Sequence, residues 1–266
     1  VVLNAQDAVE RGTDIRTRAK VIKAERQSDH WKLTLRDAQS GKQKTEQARL
    51  LINAAGPWVG QVIRDTVHLE QQAHVRLVRG SHIVVPKLFD HGRCYFFQGT
   101  DGRIIFAIPY EEDFTLIGTT DADHPDPETR PVCTEEEQDY LVKFASNYFD
   151  TPVTRDQIVW TYSGVRPLYD DGASSASAAT REYVLTLDKT QAPLLNVFGG
   201  KITTYRKLAE AALDKINEVF PSLPSEWTAG VPLPGGDFPV EDVTRLREKL
   251  AADYPFLSAY ATRRLI

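Results

Sequence analysis

Two stretches of this 266-residue sequence place chemically useful residues where a predicted strand gives way to a turn or a helix. In the segment 53–58 (NAAGPW), small residues follow an apolar strand and would let a planar or phosphorylated ligand approach the backbone closely. In the segment 198–206 (FGGKITTYR), a glycine pair precedes a predicted helix whose first N–H groups, together with Lys201, favour an anionic or electron-rich ligand. Each segment also has a simpler interpretation: a tight turn with a packing tryptophan for the first, and a helix start capped by Thr203 or Thr204 for the second. The pattern alone leaves both interpretations open.

Two arginines and one histidine add candidate polar chemistry. Arg166 precedes Pro167 at the predicted end of a strand, where the chain is held extended, and Arg181 follows the small-residue run 173–180. A guanidinium binds phosphate or carboxylate in a bidentate manner, although most lone arginines are simply solvated. His82 lies in an otherwise apolar predicted strand, so it could transfer a proton near neutral pH or be a hydrogen-bonded interior histidine.

Composition excludes several classes of function. The net charge of −5, without any long run of lysine and arginine, argues against a nucleic-acid partner. The six histidines show no metal-ligand spacing, so no metal is assigned. No stretch approaches the roughly 18 to 20 apolar residues of a membrane span, which favours a cytoplasmic protein. Because the sequence has no methionine and opens inside a helical pattern, we expect it to be part of a longer protein.

The secondary-structure elements that must position these residues are a mixture of predicted strands and helices. Residues 75–120 read as strands of an antiparallel sheet, which we expect to have about six strands over about 70–190. Thr134 with Glu137 forms a capping box that predicts a helix over 134–149. The apolar run 48–53 predicts a central strand buried on both faces, and a long helix is expected over 203–219. The fold class expected is α/β (α+β).

Five ordered segments together resemble one family: NAAGPW, VRGSHIVVP, RIIFAIPY followed by FTLIGTTD, YSGVRPL and FGGKITTYRKLAE. Their order and spacing are similar to those of bacterial FAD-dependent (aerobic) glycerol-3-phosphate dehydrogenases, middle to C-terminal portion. The resemblance implies a flavoprotein that takes a hydride from C2 of sn-glycerol 3-phosphate, yields dihydroxyacetone phosphate and passes electrons to quinone, with peripheral association at the inner face of the cytoplasmic membrane.

The same resemblance implies roles for individual residues. Arg166, Arg181 and Lys201 would bind the substrate, and His82, Arg166 and Lys201 would be the catalytic candidates, with the acceptor of the hydroxyl proton left open between His82 and Arg166. Val21 would lie beside the adenine of FAD. The remaining cofactor contacts implied are Ala54, Ala55, Gly56, Trp58, Gly200, Lys201, Ile202, Thr203 and Thr204.

The resemblance also implies how the chain is divided. Residues 1–65 and 190–225 would form part of an FAD-binding Rossmann-like fold, 66–189 an antiparallel substrate-binding sheet backed by helices, and 226–266 a linker and the start of a C-terminal helical domain. The family opens with a GxGxxG unit that grips the pyrophosphate, and no G-x-G spacing occurs in this sequence. Whether this chain binds FAD is therefore open, and it is expected to be inactive alone. A related FAD-dependent amine or amino-acid oxidase, or a non-catalytic anion-binding module, are the alternatives.

Overall fold

The computed structural model describes residues 1–70, 74–176, 179–224 and 226–266. Two residues of the small-residue run 173–180 and one residue of the proline-rich segment after 220 therefore lie outside the described residues. The chain divides into two compact units, one formed by Val1–Ala19 with Pro224–Ile266 and the other by Lys20–Leu223.

The regular elements of the described residues are numbered in chain order. The helices are α1 (Val2–Glu10), α2 (Val59–Gln61), α3 (Glu135–Ser146), α4 (Tyr205–Asn217), α5 (Val243–Asp253) and α6 (Ala259–Leu265). The strands are β1 (Ala19–Arg26), β2 (Trp31–Asp37), β3 (Gln43–Ala48), β4 (Leu51–Asn53), β5 (Val75–Pro86), β6 (Tyr95–Gln98), β7 (Ile104–Tyr110), β8 (Phe114–Gly118), β9 (Ala122–Asp123), β10 (Trp160–Tyr169), β11 (Tyr183–Asp188) and β12 (Leu194–Gly199).

The smaller unit is helical and holds α1, α5 and α6. The guanidinium of Arg11 lies 4.4 Å from the centre of the Trp227 ring, a cation–π contact that joins the two chain segments of this unit. Helix α6 begins at a side-chain cap, because the hydroxyl of Ser258 accepts a hydrogen bond from the backbone N–H of Ala261.

The larger unit contains a six-stranded sheet in the order β10-β5-β8-β7-β6, with β9 paired to β5. Each of its pairings is antiparallel, which confirms the predicted antiparallel sheet. Alternate side chains point to opposite faces, so Ile83, Ile105 and Ile117 share one face and pack against Leu141 of α3. The other face of the sheet carries the alternate residues, and residues of the candidate functional site lie on it.

Helix α3 follows its sequence signature closely. The Thr134 hydroxyl accepts the backbone N–H of Glu137 at 3.3 Å, and the Glu137 carboxylate accepts the backbone N–H of Thr134 at 2.9 Å. This capping box confirms the predicted start, while the helix ends at Ser146, three residues before the predicted end.

The predicted strand over 48–53 is wrong as a single element. Ala48 ends β3 in the sheet β1-β2-β3, whereas Leu51 begins β4 in a second sheet of order β11-β12-β4. Strand β4 is not central and not buried on both faces: it closes that order with one paired neighbour, and Ile52 is 46% exposed. Leu51 and Ile52 both line a cleft, and Leu51 also packs against a hydrophobic core cluster.

Candidate functional site

The site begins where β4 and β12 end. These two strands are parallel, so their carboxyl ends meet at the same edge of the sheet. The buried amide of Asn53 locks this edge, because its Nδ2 donates to the carbonyl of Val59 and to Oδ1 of Asn196, both at 3.0 Å. The turn 54–58 after β4 and the turn 199–204 after β12 thus belong to one edge, which is where ligands bind in open α/β sheets.

The glycine pair after β12 has the backbone conformation that only glycine tolerates well. Gly199 and Gly200 have φ angles of 72° and 95°. A Cβ atom on Gly199 would lie 2.7 Å from the carbonyl oxygen of Glu182. The pair therefore turns the chain sharply between β12 and residues 201–204.

The alternative interpretation, a helix start capped by Thr203 or Thr204, is met only in position: Thr204 is the N-cap residue of the following helix, but its side chain makes no capping hydrogen bond. Helix α4 begins at Tyr205, not at 203, and a 3-10 turn over Ile202–Thr204 precedes it. The hydroxyl of Thr204 donates to the carbonyl of Lys201 at 3.0 Å, so it does not accept a helix N–H. In the described part of the chain no side chain caps α4, and its first backbone N–H, that of Tyr205, donates to the carbonyl of Ile202 in the preceding turn.

A cleft of 640 Å³ opens beside β4. Four of the predicted cofactor contacts line it together: Val21, Ala54, Ala55 and Trp58. The indole N–H of Trp58 donates to the carboxylate of Glu128 at 2.8 Å, which fixes the ring at the cleft wall. Gly56 is not among the lining residues, and its φ of 55° serves the turn.

A larger cleft of 1360 Å³ gathers most of the other predicted residues. Arg166, Arg181, Gly200, Lys201, Ile202 and Thr203 line it, whereas Thr204 and His82 do not. Aromatic and aliphatic side chains from β6 and β7, among them Phe96 and Phe106, form a further part of the wall.

The two arginines converge on a carboxylate that the sequence pattern did not single out. Oδ1 of Asp121 lies 3.0 Å from Nη1 of Arg166 and 3.5 Å from Nη2 of Arg181. The Thr119 hydroxyl accepts a further hydrogen bond from Nη2 of Arg166 at 3.0 Å. Asp121 is the last residue of the FTLIGTTD segment, and its place in that segment was the signal from which it could have been identified as a site residue. Contrary to expectation, Arg166 lies within β10 and not at its end, because the strand continues to Tyr169.

His82 is not a hydrogen-bonded core histidine. It lies on the sheet face opposite α3, stacked on Tyr162 with ring centres 4.7 Å apart and planes within 5°. Its Nδ1 has no hydrogen-bond partner among the residues that the structure describes. Burial, followed by the positive charge of Arg166, lowers the pKa of His82 from 6.5 to about 4. The imidazole is therefore neutral at physiological pH and can accept a proton.

Comparison with known proteins agrees with this geometry. The family of FAD dependent oxidoreductases matches residues 1–206. The chain is 43% identical over 258 residues to D-erythritol 1-phosphate dehydrogenase of Brucella abortus (strain 2308), covering 97% of this chain and 51% of the relative. It is 42% identical over 265 residues to aerobic glycerol-3-phosphate dehydrogenase of Escherichia coli (strain K12), covering 99% and 53%. The chain thus spans about half the length of the curated relatives it matches.

Solved structures give the same answer for the fold. The glycerol-3-phosphate dehydrogenase of Bacillus halodurans complexed with FAD superposes with a TM-score of 0.83 at 26% identity, over 99% of this chain and 52% of that one. The L-alpha-glycerophosphate oxidase of Mycoplasma pneumoniae superposes with a TM-score of 0.61 at 14% identity, over 84% and 56%, and bears on the fold alone. The resemblance and the fold class predicted from the sequence are confirmed.

Proposed function

The chain belongs to the FAD dependent oxidoreductase family, and we propose that this protein oxidises sn-glycerol 3-phosphate to dihydroxyacetone phosphate. The observation that carries the proposal is the pair of guanidiniums, Arg166 and Arg181, held by Asp121 in the same cleft as the backbone turn after β12. A phosphate-binding pair facing a predicted flavin edge is what oxidation of a phosphorylated polyol requires.

The residues present fit FAD. The 640 Å³ cleft combines the apolar side chain of Val21 with the small Ala54 and Ala55, which leaves space for a flat ring against the strand edge. Gly56 and Trp58 complete that turn, and the positive-φ pair Gly199–Gly200 exposes the backbone of 201–204 for the pyrimidine edge of the flavin. When bound there, FAD supplies the two-electron acceptor for the hydride.

Arg166 and Arg181 would hold the substrate phosphate. Their side chains are 32% and 37% exposed, so both are open to a ligand while anchored to Asp121, whose side chain is 15% exposed. Phosphate would add charge-assisted hydrogen bonds to guanidiniums that are already aimed, which lowers the ordering cost of binding.

His82 would take the proton of the C2 hydroxyl as the C2–H bond breaks with its electron pair and the C2=O bond forms. Its imidazole is neutral at pH 7. Its Nδ1 is buried and His82 does not line the 1360 Å³ cleft, so this role requires the substrate to reach the ring beyond that cleft. Arg166 is the poorer candidate, because a guanidinium is a hydrogen-bond donor without an acceptor site and that of Arg166 is already bound to Asp121 and Thr119. Lys201, which lines the cleft, would stabilise negative charge that develops on the substrate oxygen.

Binding of the substrate phosphate would itself change the pKa of His82. A phosphate dianion beside Arg166 would offset the charge that lowers the His82 pKa, and so would raise that pKa toward the range suited to a general base. The burial contribution would remain, so we expect a partial rise.

Quinone as the electron acceptor and a cytoplasmic location with peripheral attachment to the membrane are part of the proposal. The support is the name of the aerobic glycerol-3-phosphate dehydrogenases to which the chain is similar. No helix in the described ranges has both the length and the apolar composition needed to cross a membrane.

A second substrate calls for a direct comparison because D-erythritol 1-phosphate dehydrogenase of Brucella abortus is 43% identical. D-erythritol 1-phosphate is the longer polyol phosphate by one carbon, and the 1360 Å³ cleft has volume for either. The ratio of kcat/KM for the two substrates separates these candidates.

The test is anaerobic flavin reduction by the full-length protein reconstituted with FAD. Loss of flavin absorbance with glycerol 3-phosphate or D-erythritol 1-phosphate, but not with unphosphorylated glycerol or with glycine, is the expected result. Arg166→Ala and Arg181→Ala should each raise KM, while Arg155→Ala should not, because Arg155 pairs with Glu135 and Asp139 away from the cleft. Reduction by an amino acid and not by polyol phosphates would support the oxidase alternative. FAD uptake without reduction of the flavin by any of these compounds would support the alternative of a non-catalytic binding module.

A further inference from the structure

Two glycines lie on the face of the six-stranded sheet that carries His82 and Arg166. Gly80 is in β5, where its Cα partner is Gly164 of β10, and Gly118 is in β8, where its partner is His82. Directly paired residues of an antiparallel sheet share a face. Neither glycine has a positive φ, so the φ angle does not require glycine at either position.

At Gly80 the space that a side chain would fill is occupied by Arg166. A Cβ atom on Gly80 would lie 2.5 Å from Nη1 and 2.6 Å from Cζ of the Arg166 guanidinium. Arg166 is paired to Val78, two residues along β5, so its side chain leans along the sheet and rests on the bare backbone of Gly80. From there its two Nη atoms reach Asp121 and Thr119.

At Gly118 the corresponding space holds the His82 ring. A Cβ atom on Gly118 would lie 2.7 Å from Cγ and 2.8 Å from Nε2 of His82. Tyr162 stacks on His82 from the neighbouring strand, with ring centres 4.7 Å apart. The imidazole is thus enclosed between a tyrosine ring and a glycine backbone.

We propose that Gly80 and Gly118 are positioning residues. Because neither has a side chain, Arg166 can lie flat on the sheet at Gly80 and His82 can do so at Gly118, in the positions that their proposed roles require. This inference rests on the proposed function for its kinetic consequences, but the placement of the two side chains has readouts of its own. A methyl group at Gly80 displaces the phosphate-binding guanidinium, and one at Gly118 displaces the proton acceptor.

The two glycine positions differ in what a methyl group would do to folding. The atoms in contact at Gly80 are the far end of a flexible side chain, which can swing away at little cost in stability. The atoms at Gly118 belong to a ring held by Tyr162, so a clash there is harder to relieve.

The first experiment compares Gly80→Ala with Gly164→Ala in the FAD-loaded full-length protein. Gly164 is a matched control because it pairs with Gly80 in the same sheet and no described atom lies within 4 Å of its added Cβ. Gly80→Ala should raise KM for glycerol 3-phosphate by about 10- to 100-fold, as expected for losing a hydrogen bond to a charged group, with FAD content and melting temperature near wild type. Gly164→Ala should leave KM within about twofold, the scale expected of a change that disturbs no contact. Equal effects of the two substitutions would refute the proposal.

A double-mutant cycle separates positioning from general destabilisation. In the Arg166→Ala background there is no guanidinium to displace, so Gly80→Ala should add no further increase in KM. Additive effects would mean that Gly80 acts through something other than Arg166, which would also overturn the inference.

The placement is also measurable without catalysis, by NMR titration of the His82 imidazole. Gly118→Ala should shift the His82 pKa from about 4 toward 6.5, because the ring leaves its buried place. An unchanged pKa in a folded Gly118→Ala protein contradicts the role of Gly118. If Gly118→Ala does not fold, the double variant Gly118→Ala with His82→Ala removes the clash and should fold. A double variant that stays unfolded contradicts the role as well.

This titration also keeps two failures apart. If the wild-type protein is not reduced by any polyol phosphate, the proposed function is wrong, yet the titration still decides whether Gly118 places His82. The same titration of Gly80→Ala reports on Arg166, because displacing its guanidinium should raise the His82 pKa in part. If the wild type is active but the variants behave like Gly164→Ala, only the inference about the glycines is wrong.

Discussion

The low pKa of His82 makes the stability of the protein depend on pH in a defined window. The folded-state pKa of about 4 lies below the ordinary value of 6.5 that the unfolded chain would show. As the pH falls below 6.5, the unfolded chain therefore binds a proton that the folded protein does not. Stability from this residue is fully present above pH 6.5 and is lost progressively until the pH reaches about 4.

The size of the effect follows from the same two values. One pKa unit corresponds to about 1.4 kcal/mol, so the difference between 6.5 and about 4 is worth about 3 kcal/mol at most. His82 is only partly buried, and solvent screening reduces this to about 2 kcal/mol. That is a large fraction of the stability of an ordinary domain, and it is within the range of denaturant titration.

The assay is urea unfolding at intervals from pH 7 to pH 4, for the wild type and for His82→Gln. Other groups titrate in both proteins, so the informative quantity is the difference between their free energies of unfolding. The variant should lose about 2 kcal/mol less than the wild type between pH 6.5 and pH 4. Parallel curves, or an NMR titration that places the His82 pKa at or above 6.5, would refute the reasoning. Arg166→Met should raise this pKa only in part, since burial is the larger cause.

The remaining predictions concern contacts outside the clefts. Arg26 donates to Asp188 at 2.6 Å and holds the pKa of that carboxyl below 3.8. Asp188→Asn should lower the free energy of unfolding by about 1 kcal/mol at pH 7, a value discounted for the exposure of Asp188. The difference between variant and wild type in urea unfolding should shrink as the pH falls below 3.8. Thr134→Ala removes the α3 capping box and should cost about 1 kcal/mol by thermal unfolding, with the exposed Thr17→Ala as a surface control. Leu141→Ala opens a cavity in the fully buried core between α3 and the sheet and should cost about 2 to 5 kcal/mol in urea unfolding, with no change in FAD content of the folded fraction.

Local signals in the sequence were sufficient for several elements. The capping box before α3 needs only residues three apart, so it was predictable from neighbouring residues. The alternating strands between 75 and 120 likewise predicted the antiparallel sheet, because a period of two is a property of each strand by itself.

Pairing between distant segments could not be read in the same way. Both faces of β5 are apolar around His82, with Ile83 on the α3 side and Val84 on the other. The alternation of apolar and polar residues therefore could not predict on which face of the sheet His82 lies. The apolar character of Ile52 was read as burial, while β4 pairs on one side only. Asp121 acquires its meaning only from arginines 45 and 60 residues away.

The charges gathered in the larger cleft bear on which substrate it suits. Arg166, Arg181 and Lys201 carry three formal positive charges and Asp121 one negative charge, so this part of the cleft has a formal charge of about +2. A phosphate monoester carries between −1.5 and −2 near pH 7 and would compensate this charge almost fully, whereas the single carboxylate of an amino acid would leave one positive charge unmatched.

Asp121 also keeps two like-charged guanidiniums side by side before any anion arrives, and without it their mutual repulsion would oppose the paired arrangement. The carboxylate thus weakens the net attraction for phosphate but preserves the geometry that a bidentate contact needs. The charge balance is thus the consideration that favours a phosphorylated polyol over an amino acid, since a bidentate contact suits phosphate and carboxylate alike. Arg166 and Asp121 meet because β5 pairs with β10 on one side and with β8 on the other, which brings Arg166 and the segment around Asp121 together.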